Sequence, residues 1–184
     1  MAVRDIVLYL ENEAALRTKS KPVRRVTRQV KKLVRDLKDT LDAHPGIGLA
    51  APQINVHSRV VVVRLGSGRD DDGNEIEPGP PQALIDPQVV EAGSEERDFD
   101  GCLSFPGLYG ETARPHYLRV TGIDEAGHPF ERVFEGFDAV VVHHEIDHLN
   151  GVLFIDRVES IEDLYQVRED EDGEMVRVPM SAVV

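Results

Sequence analysis

The run His144-Glu145-Ile146-Asp147-His148 constrains this chain more than any other feature. Side chains at i and i+4 of an α-helix project one above the other from a single face, so His144 and His148 can grip one metal ion. The flanking residues agree with that geometry. From Phe137 to Leu149 the apolar positions follow a helical period, with Val140, Val141, His144 and His148 on one face, and Asn150-Gly151 stops the element. Glu145 then stands beside the metal, within reach of a water whose proton it can take. His143 and Asp147 point elsewhere on the helix. Two histidines packed beside a Glu with no metal is the competing structural explanation, and the rest of the chain has to decide.

A tetrahedral catalytic centre needs a third protein ligand and one open position. No His follows the motif; Glu159 and Glu162 are formally available downstream, and upstream stands the chain's single cysteine, Cys102, in Asp100-Gly101-Cys102-Leu103-Ser104. A thiolate is soft and negatively charged, which favours Fe(II), Zn(II), Co(II) or Ni(II) over Mg(II) or Ca(II). A lone cysteine is otherwise a small buried apolar residue. Gly101 before it and Ser104 after it argue for a shaped turn instead. The third segment is Gly46-Ile47-Gly48-Leu49-Ala50-Ala51-Pro52-Gln53. Its glycines superficially fit a dinucleotide fingerprint, but it follows a helix and runs into Pro52, whereas the fingerprint needs a strand before and a helix after. A small-residue loop ending in an amide suits close approach of backbone to a substrate, with the Gln53 NH2 offered to a developing oxyanion. The plainer alternative is a helix-to-strand connection in which Gln53 caps backbone groups.

Elsewhere the chain reads as α+β. Val23, Val26, Val30, Leu33 or Val34, Leu37 and Leu41 recur at steps of three and four, predicting an amphipathic helix from Pro22 to His44, with Pro22 in its first turn and Pro45-Gly46 as its stop. Arg24, Arg25, Lys31, Lys32 and Arg35 fill its outward face and read as a solvated surface. Arg59 to Leu65, with four consecutive valines, predicts a buried strand. Gly66 to Pro81 predicts an exposed, mobile loop, in which Asp70-Asp71-Asp72-Gly73 lacks the spacing of a calcium loop. Gln82 to Ala92, Leu118 to Asp124 and Phe130 to Glu135 predict antiparallel strands, with a hairpin turn at Gly127. Gly151 to Val158 predicts a short strand, and Arg168 to Glu174 a solvated acidic tail.

The expected architecture is therefore antiparallel strands around a central metal-binding helix, with the N-terminal amphipathic helix packed on the sheet, in a single domain spanning 1–184. A net charge of −13 speaks against nucleic acid and anionic membranes as ligands. No apolar run approaches the roughly 20 residues of a membrane span, and Met1 to Asp5 lack a secretory signal, which together predict a cytoplasmic location.

Taken in order and spacing, the Gly46–Gln53, Gly101–Ser104 and His144–His148 segments resemble the three motifs of the peptide deformylase family. Lys19-Ser20-Lys21-Pro22-Val23 with the helix after it, and Gly151-Val152-Leu153-Phe154-Ile155-Asp156, extend the resemblance over most of the chain. It implies a metallohydrolase that removes the formyl group from N-formylmethionyl peptides, releasing formate and a free N-terminal methionine. It also implies that Cys102, His144 and His148 hold the metal, with Fe2+ as the native ion and Zn2+, Ni2+ or Co2+ able to substitute. Glu145 is then general base and acid, while Gln53 and the backbone N–H of Leu103 bind the formyl oxygen. Val140 and Val141, which share the face of His144, are expected to line the methionine pocket, and Ile47 and Gly48 to pair with the extended peptide backbone.

Two positions depart from the family pattern. Asp100 replaces the usual Glu before Gly-Cys, and the shorter side chain is expected to reach Arg114 less directly and to loosen the Cys102 loop. His143 replaces the usual Gln before the first His. The resemblance also raises the ribosome, near the exit of nascent chains, as a partner. The acidic run from Glu169 to Glu174 differs from the basic C-terminal helix through which some members dock there. A metallopeptidase built on the same His pair, and a binding protein that kept the fold but lost turnover, are the competing functional readings. Cys102 and Gln53 speak against the first, and Glu145 against the second.

Overall fold

The computed structural model describes residues 2–66, 68–69, 75–170 and 173–180. Its helices are α1 (Tyr9–Arg17), α2 (Arg28–Asp42) and α3 (Phe137–Asn150). Its strands are β1 (Gly48–Ala50), β2 (Val60–Val63), β3 (Gly68–Arg69), β4 (Glu75–Ile76), β5 (Gln82–Ala92), β6 (Glu95–Gly101), β7 (Leu108–Pro115), β8 (Tyr117–Ile123), β9 (Pro129–Glu135), β10 (Leu164–Glu169) and β11 (Met175–Pro179). All strand pairing is antiparallel: a five-stranded sheet in the order β1-β2-β5-β8-β9, a four-stranded sheet in the order β11-β10-β7-β6, and the short β3–β4 pair. This is the α+β arrangement expected from the sequence.

The four valines of β2 explain the layering. Successive side chains of a strand point to opposite faces, so a strand buried on both faces must be apolar at every position. Val61 and Val63 pack with Ala139, Val142, Ile146 and Leu149 of α3. Val60 and Val62 face the other way and pack with Val34, Leu37 and Leu41 of α2. The five-stranded sheet is thus sandwiched between two helices, and the metal-motif helix lies over its inner face.

Several boundaries differ from expectation for identifiable reasons. Helix α2 begins at Arg28, not Pro22, because the Thr27 side chain caps the Val30 N–H at 3.3 Å. The residues before it are held by the body of the protein: Val23 N and Arg24 N both donate to the Asp86 carboxylate at 2.8 Å. The segment after α3 is not a strand. Phe154–Arg157 forms a 3-10 turn, started by the Asp156 carboxylate accepting from Leu153 N at 2.9 Å. The reversal at Gly151 requires glycine twice over, since its φ is +74° and a Cβ there would lie 2.2 Å from the Arg17 carbonyl oxygen.

The second sheet is where periodicity was silent. Strand β6 reads Glu-Glu-Arg-Asp-Phe-Asp-Gly and β7 contains Gly and Pro, so neither carries a β-rich run. The acidic tail is exposed over its described residues 168–170 and 173–174, as expected, but it forms the outer end of a β10–β11 hairpin whose β10 pairs with β7 at Leu164–Gln166. Within the Gly66–Pro81 loop β3 and β4 pair, while Asp70-Asp71-Asp72-Gly73 lies outside the described residues. No helix among the described residues is long and apolar enough to cross a membrane.

Candidate metal centre and cleft

Three elements converge on one cleft of about 1060 Å3. The loop after α2 brings Ile47, Gly48 and Gln53, the end of β6 brings Cys102 and Leu103, and α3 brings Val140, Val141, His144 and Glu145, all of them lining it. His148 lies one helical turn beyond His144, its Nε2 3.3 Å from Cys102 Sγ. The N-terminal segment stitches the two loops together. Val7 N donates to the Gln53 carbonyl at 2.8 Å, and Tyr9 N to the Ser104 carbonyl at 2.9 Å.

Among the described residues, Cys102, His144 and His148 form the one group whose potential ligand atoms all lie within 4.8 Å of one another. The donor set is a thiol and two imidazoles, which fits a soft or borderline divalent ion. A polar atom left without a partner beside the group supports the same fit: Glu145 Oε2 is buried with no hydrogen-bond partner, where most such groups are satisfied. Burial holds the His148 pKa well below its ordinary value, so that ring is neutral, as a ligand must be. Burial likewise pushes Glu145 up to about 7, with His144 opposing the shift. A carboxyl group poised there can take and return a proton near neutrality.

Behind His144 runs a buried chain of charges. His144 Nδ1 is 2.7 Å from Asp100 Oδ1, and the other Asp100 oxygen accepts from Arg114 Nε at 2.7 Å and Thr112 Oγ1 at 2.9 Å. Asp100 therefore reaches both partners directly. The shorter side chain thus reaches Arg114 directly, against expectation, because the register Asp100↔Gly110 and Phe99↔Glu111 sets β6 close against β7, where Thr112 and Arg114 lie. Arg114 is 0% exposed and donates from Nη1 to Asp147 Oδ2 at 2.9 Å; Asp147 in turn accepts from Arg157 at 2.5 and 2.9 Å. Burial raises the Asp100 pKa, but His144 and Arg114 outweigh it and hold the carboxyl well below the usual range. The same contact, with Cys102, raises His144 well above its ordinary value against the effect of burial, so a metal ion binding there would have to displace the proton from Nε2. Holding one ring nitrogen of a His leaves the other, Nε2, to face the cleft.

Gln53 has its amide orientation decided by the backbone. Ala50 N can only donate and lies 2.8 Å from Oε1, so the NH2 end faces Cys102 Sγ at 3.4 Å and Ser104 Oγ at 3.3 Å. The Oε1 end thus caps a backbone group, and the NH2 end lies at the wall of the cleft beside Cys102. Gly48 has a comparable constraint, since a Cβ there would fall 2.2 Å from Glu145 Oε1. Asp147 and His143 are expected to point elsewhere on the helix. They do turn from the cleft, but toward Arg114, with His143 Nδ1 3.2 Å from Nη1. A buried acid three residues after the first His, facing a lone Arg on a strand, leaves no periodic signal. Phe99, Phe105 and Tyr109 also line the cleft without having been anticipated.

Comparison with known proteins agrees with this geometry. The family model described as polypeptide deformylase matches residues 3–163. A peptide deformylase of Azotobacter vinelandii is 44% identical over 88% of this chain and 90% of its own length, and one of Thermomicrobium roseum is 40% identical over 94% and 95%. The crystal structure of peptide deformylase from Ehrlichia chaffeensis in complex with actinonin superposes with a TM-score of 0.77 at 32% identity, covering 89% of this chain and 92% of that one. A Met-Ala-Ser-bound class I type b peptide deformylase from Acinetobacter baumannii gives 0.74 at 29% identity, covering 85% and 99%. Fold and cleft thus define a metal-dependent hydrolase acting on peptides. The chain belongs to the polypeptide deformylase family, whose reaction removes the formyl group from the N-terminus of nascent peptides.

Proposed function

We propose that this cleft deformylates N-formylmethionyl peptides in the cytoplasm with Fe2+ as the resident ion, held by Cys102, His144 and His148 within one catalytic domain spanning 1–184. The observation that carries the proposal is the convergence of those three ligand atoms within 4.8 Å beside a buried Glu145 whose Oε2 has no partner. Zn2+, Ni2+ or Co2+ suits the same donors. When bound, the ion supplies Lewis acidity, which makes water acidic enough to act as a nucleophile at neutral pH.

The chain's own groups do the rest. Glu145 takes a proton from the attacking water and returns one to the leaving amine, and burial keeps its affinity for that proton near neutrality. Gln53 Nε2, locked by Ala50 N, and the backbone N–H of Leu103 donate to the formyl oxygen as negative charge develops there. Val140 and Val141 offer an apolar wall to the methionine side chain, whose flexible thioether fills such slots well. Ile47 and Gly48 pair with the peptide backbone, which leaves the residues after methionine unread. The Met-Ala-Ser peptide bound to the Acinetobacter baumannii protein has the composition expected of such a product. The ribosome, near the exit of nascent chains, is where such substrates emerge. The described residues 164–179 form a hairpin, unlike the basic C-terminal helix through which some members of the family dock there.

The test is formate release from formyl-Met-Ala-Ser by protein purified anaerobically with Fe2+, beside a Glu145→Ala variant with the same metal content. Rapid release by the parent and near-silence from the variant are expected. A parent that binds metal stoichiometrically and releases no formate overturns the reading, and cleavage at the Met-Ala bond instead points to a metallopeptidase.

A further inference from the structure

Charge is distributed very unevenly along this chain. Residues 17–38 hold 10 of the 21 Lys and Arg with a single acid, Asp36, whereas the remainder sets 11 basic residues against 33 acids. The net charge of −13 therefore conceals a basic pole on an acidic body. Helix α2 displays Arg28, Lys31, Lys32 and Arg35 at i, i+3, i+4 and i+7, all exposed and opposite to buried Val34, Leu37 and Leu41. Exposed Arg24 and Arg25 continue the basic run in the segment that leads into the helix. Lys32 is paired with Asp36 at 2.7 Å, but among the described residues Arg24, Arg25, Arg28, Lys31 and Arg35 have no carboxylate partner.

This surface is held in place. The Asp86 carboxylate grips Val23 N and Arg24 N, and Arg24 is kept at a φ of +64°, a conformation a non-glycine residue adopts only when its surroundings impose it. The face also adjoins the cleft. Ala2 N donates to Asp39 Oδ2 at 3.0 Å and Arg4 N to Thr40 Oγ1 at 2.9 Å, so the N-terminal segment lies along α2, and Arg4 and His44 line the cleft mouth.

We propose that the α2 face docks this enzyme on RNA through the phosphate backbone. Contact by charge alone suits phosphates, and a stripe of seven helical residues spans roughly 10 Å, enough to meet successive ones. A lipid surface is the poorer match, because interfacial helices insert an apolar face, whereas that of α2 is buried in the core and no exposed large hydrophobic residue lies in 17–38. The inference goes beyond the reaction itself and does not depend on the roles given to the cleft residues.

The experiment measures fluorescence anisotropy of a labelled RNA hairpin of arbitrary sequence with the full metal-loaded chain, across a salt series. With about four phosphates engaged, affinity is expected to fall roughly 50- to 150-fold between about 50 and 200 mM salt. The triple variant Arg28→Glu, Lys31→Glu, Arg35→Glu should weaken binding at least tenfold. A second triple variant, Arg132→Glu, Arg168→Glu, Arg177→Glu, makes the same change of net charge on other surfaces and should weaken it less than threefold. Both variants should keep the parent's kcat/KM on a short formyl peptide, which shows that they fold. Absence of binding at 50 mM salt up to about 100 μM protein overturns the proposal. Equal weakening by the two variants does so as well, as does binding to phosphatidylserine vesicles but not to RNA.

Discussion

Helices α2 and α3 cover opposite faces of one sheet, yet they are built on different principles. Helix α2 buries five of its fifteen residues, and apart from Asp36, which pairs with Lys32 and Arg4, its charges are exposed or half-exposed. Helix α3 buries ten of fourteen, including His144, Glu145, Asp147 and His148, and a charge in that position is stable only with a partner. The contrast teaches where function sits. On α2 most polar residues need no explanation beyond solvent, buried Asp36 and Thr40 excepted, whereas on α3 each buried polar residue implies another group, and following those implications leads from the cleft to Asp100, Arg114 and Arg157.

The sharpest way to break the comparison is Arg114→Leu. Leucine leaves Asp100 and Asp147 buried with one cation fewer, and removing one partner of such a pair costs about 3–5 kcal/mol. We expect a variant that unfolds at much lower urea and, where folded, binds metal more weakly, since the contact that orients His144 has lost its support. Urea titration and metal stoichiometry report both. A loss below about 1 kcal/mol would mean that the network behind α3 is no more demanding than the surface of α2.

Gly48→Ala probes the other side of α3. The added methyl falls on the Glu145 carboxylate, a buried group with little room to retreat. Displacing a catalytic group by about 1 Å costs on the order of 100-fold in rate. The expected result is a fall in kcat of that size with metal content unchanged, because Cys102, His144 and His148 are untouched. Parent-like kcat would show that Glu145 can act from more than one position.

The same contrast explains what was legible in the sequence. Helix α2 could be read from its period because half of it faces water, and α3 from its histidine pair. Four valines in a row disclosed a strand buried on both faces. Cys102, Gln53 and Gly48 were picked out by their local motifs, and the cleft brings them together. What stayed hidden depends on tertiary pairing. Asp147 looks like any helix acid until Arg114 arrives from β7, and β6 is too polar to announce itself because its pairing with β7, not its own propensity, makes it a strand. The start of α2 was misplaced for a related reason. Pro22 is a good first-turn residue, but the backbone of residues 23–24 is claimed by Asp86, on a strand more than sixty residues away.

The smallest effect belongs to α2 itself and completes the comparison. Thr27→Ala removes the side-chain oxygen that accepts from Val30 N, leaving one more orphan N–H at a solvent-exposed helix start. Such caps contribute about 1 kcal/mol. Water can solvate the freed donor, a remedy denied to any group beneath α3. The expected variant is therefore slightly less stable to urea, with an unchanged transition slope, unchanged metal content and the kcat/KM of the parent. If activity fell in proportion, the two helices would be coupled through the sheet. Equal activity at reduced stability would show that the start of α2 can be weakened independently of the chemistry on α3.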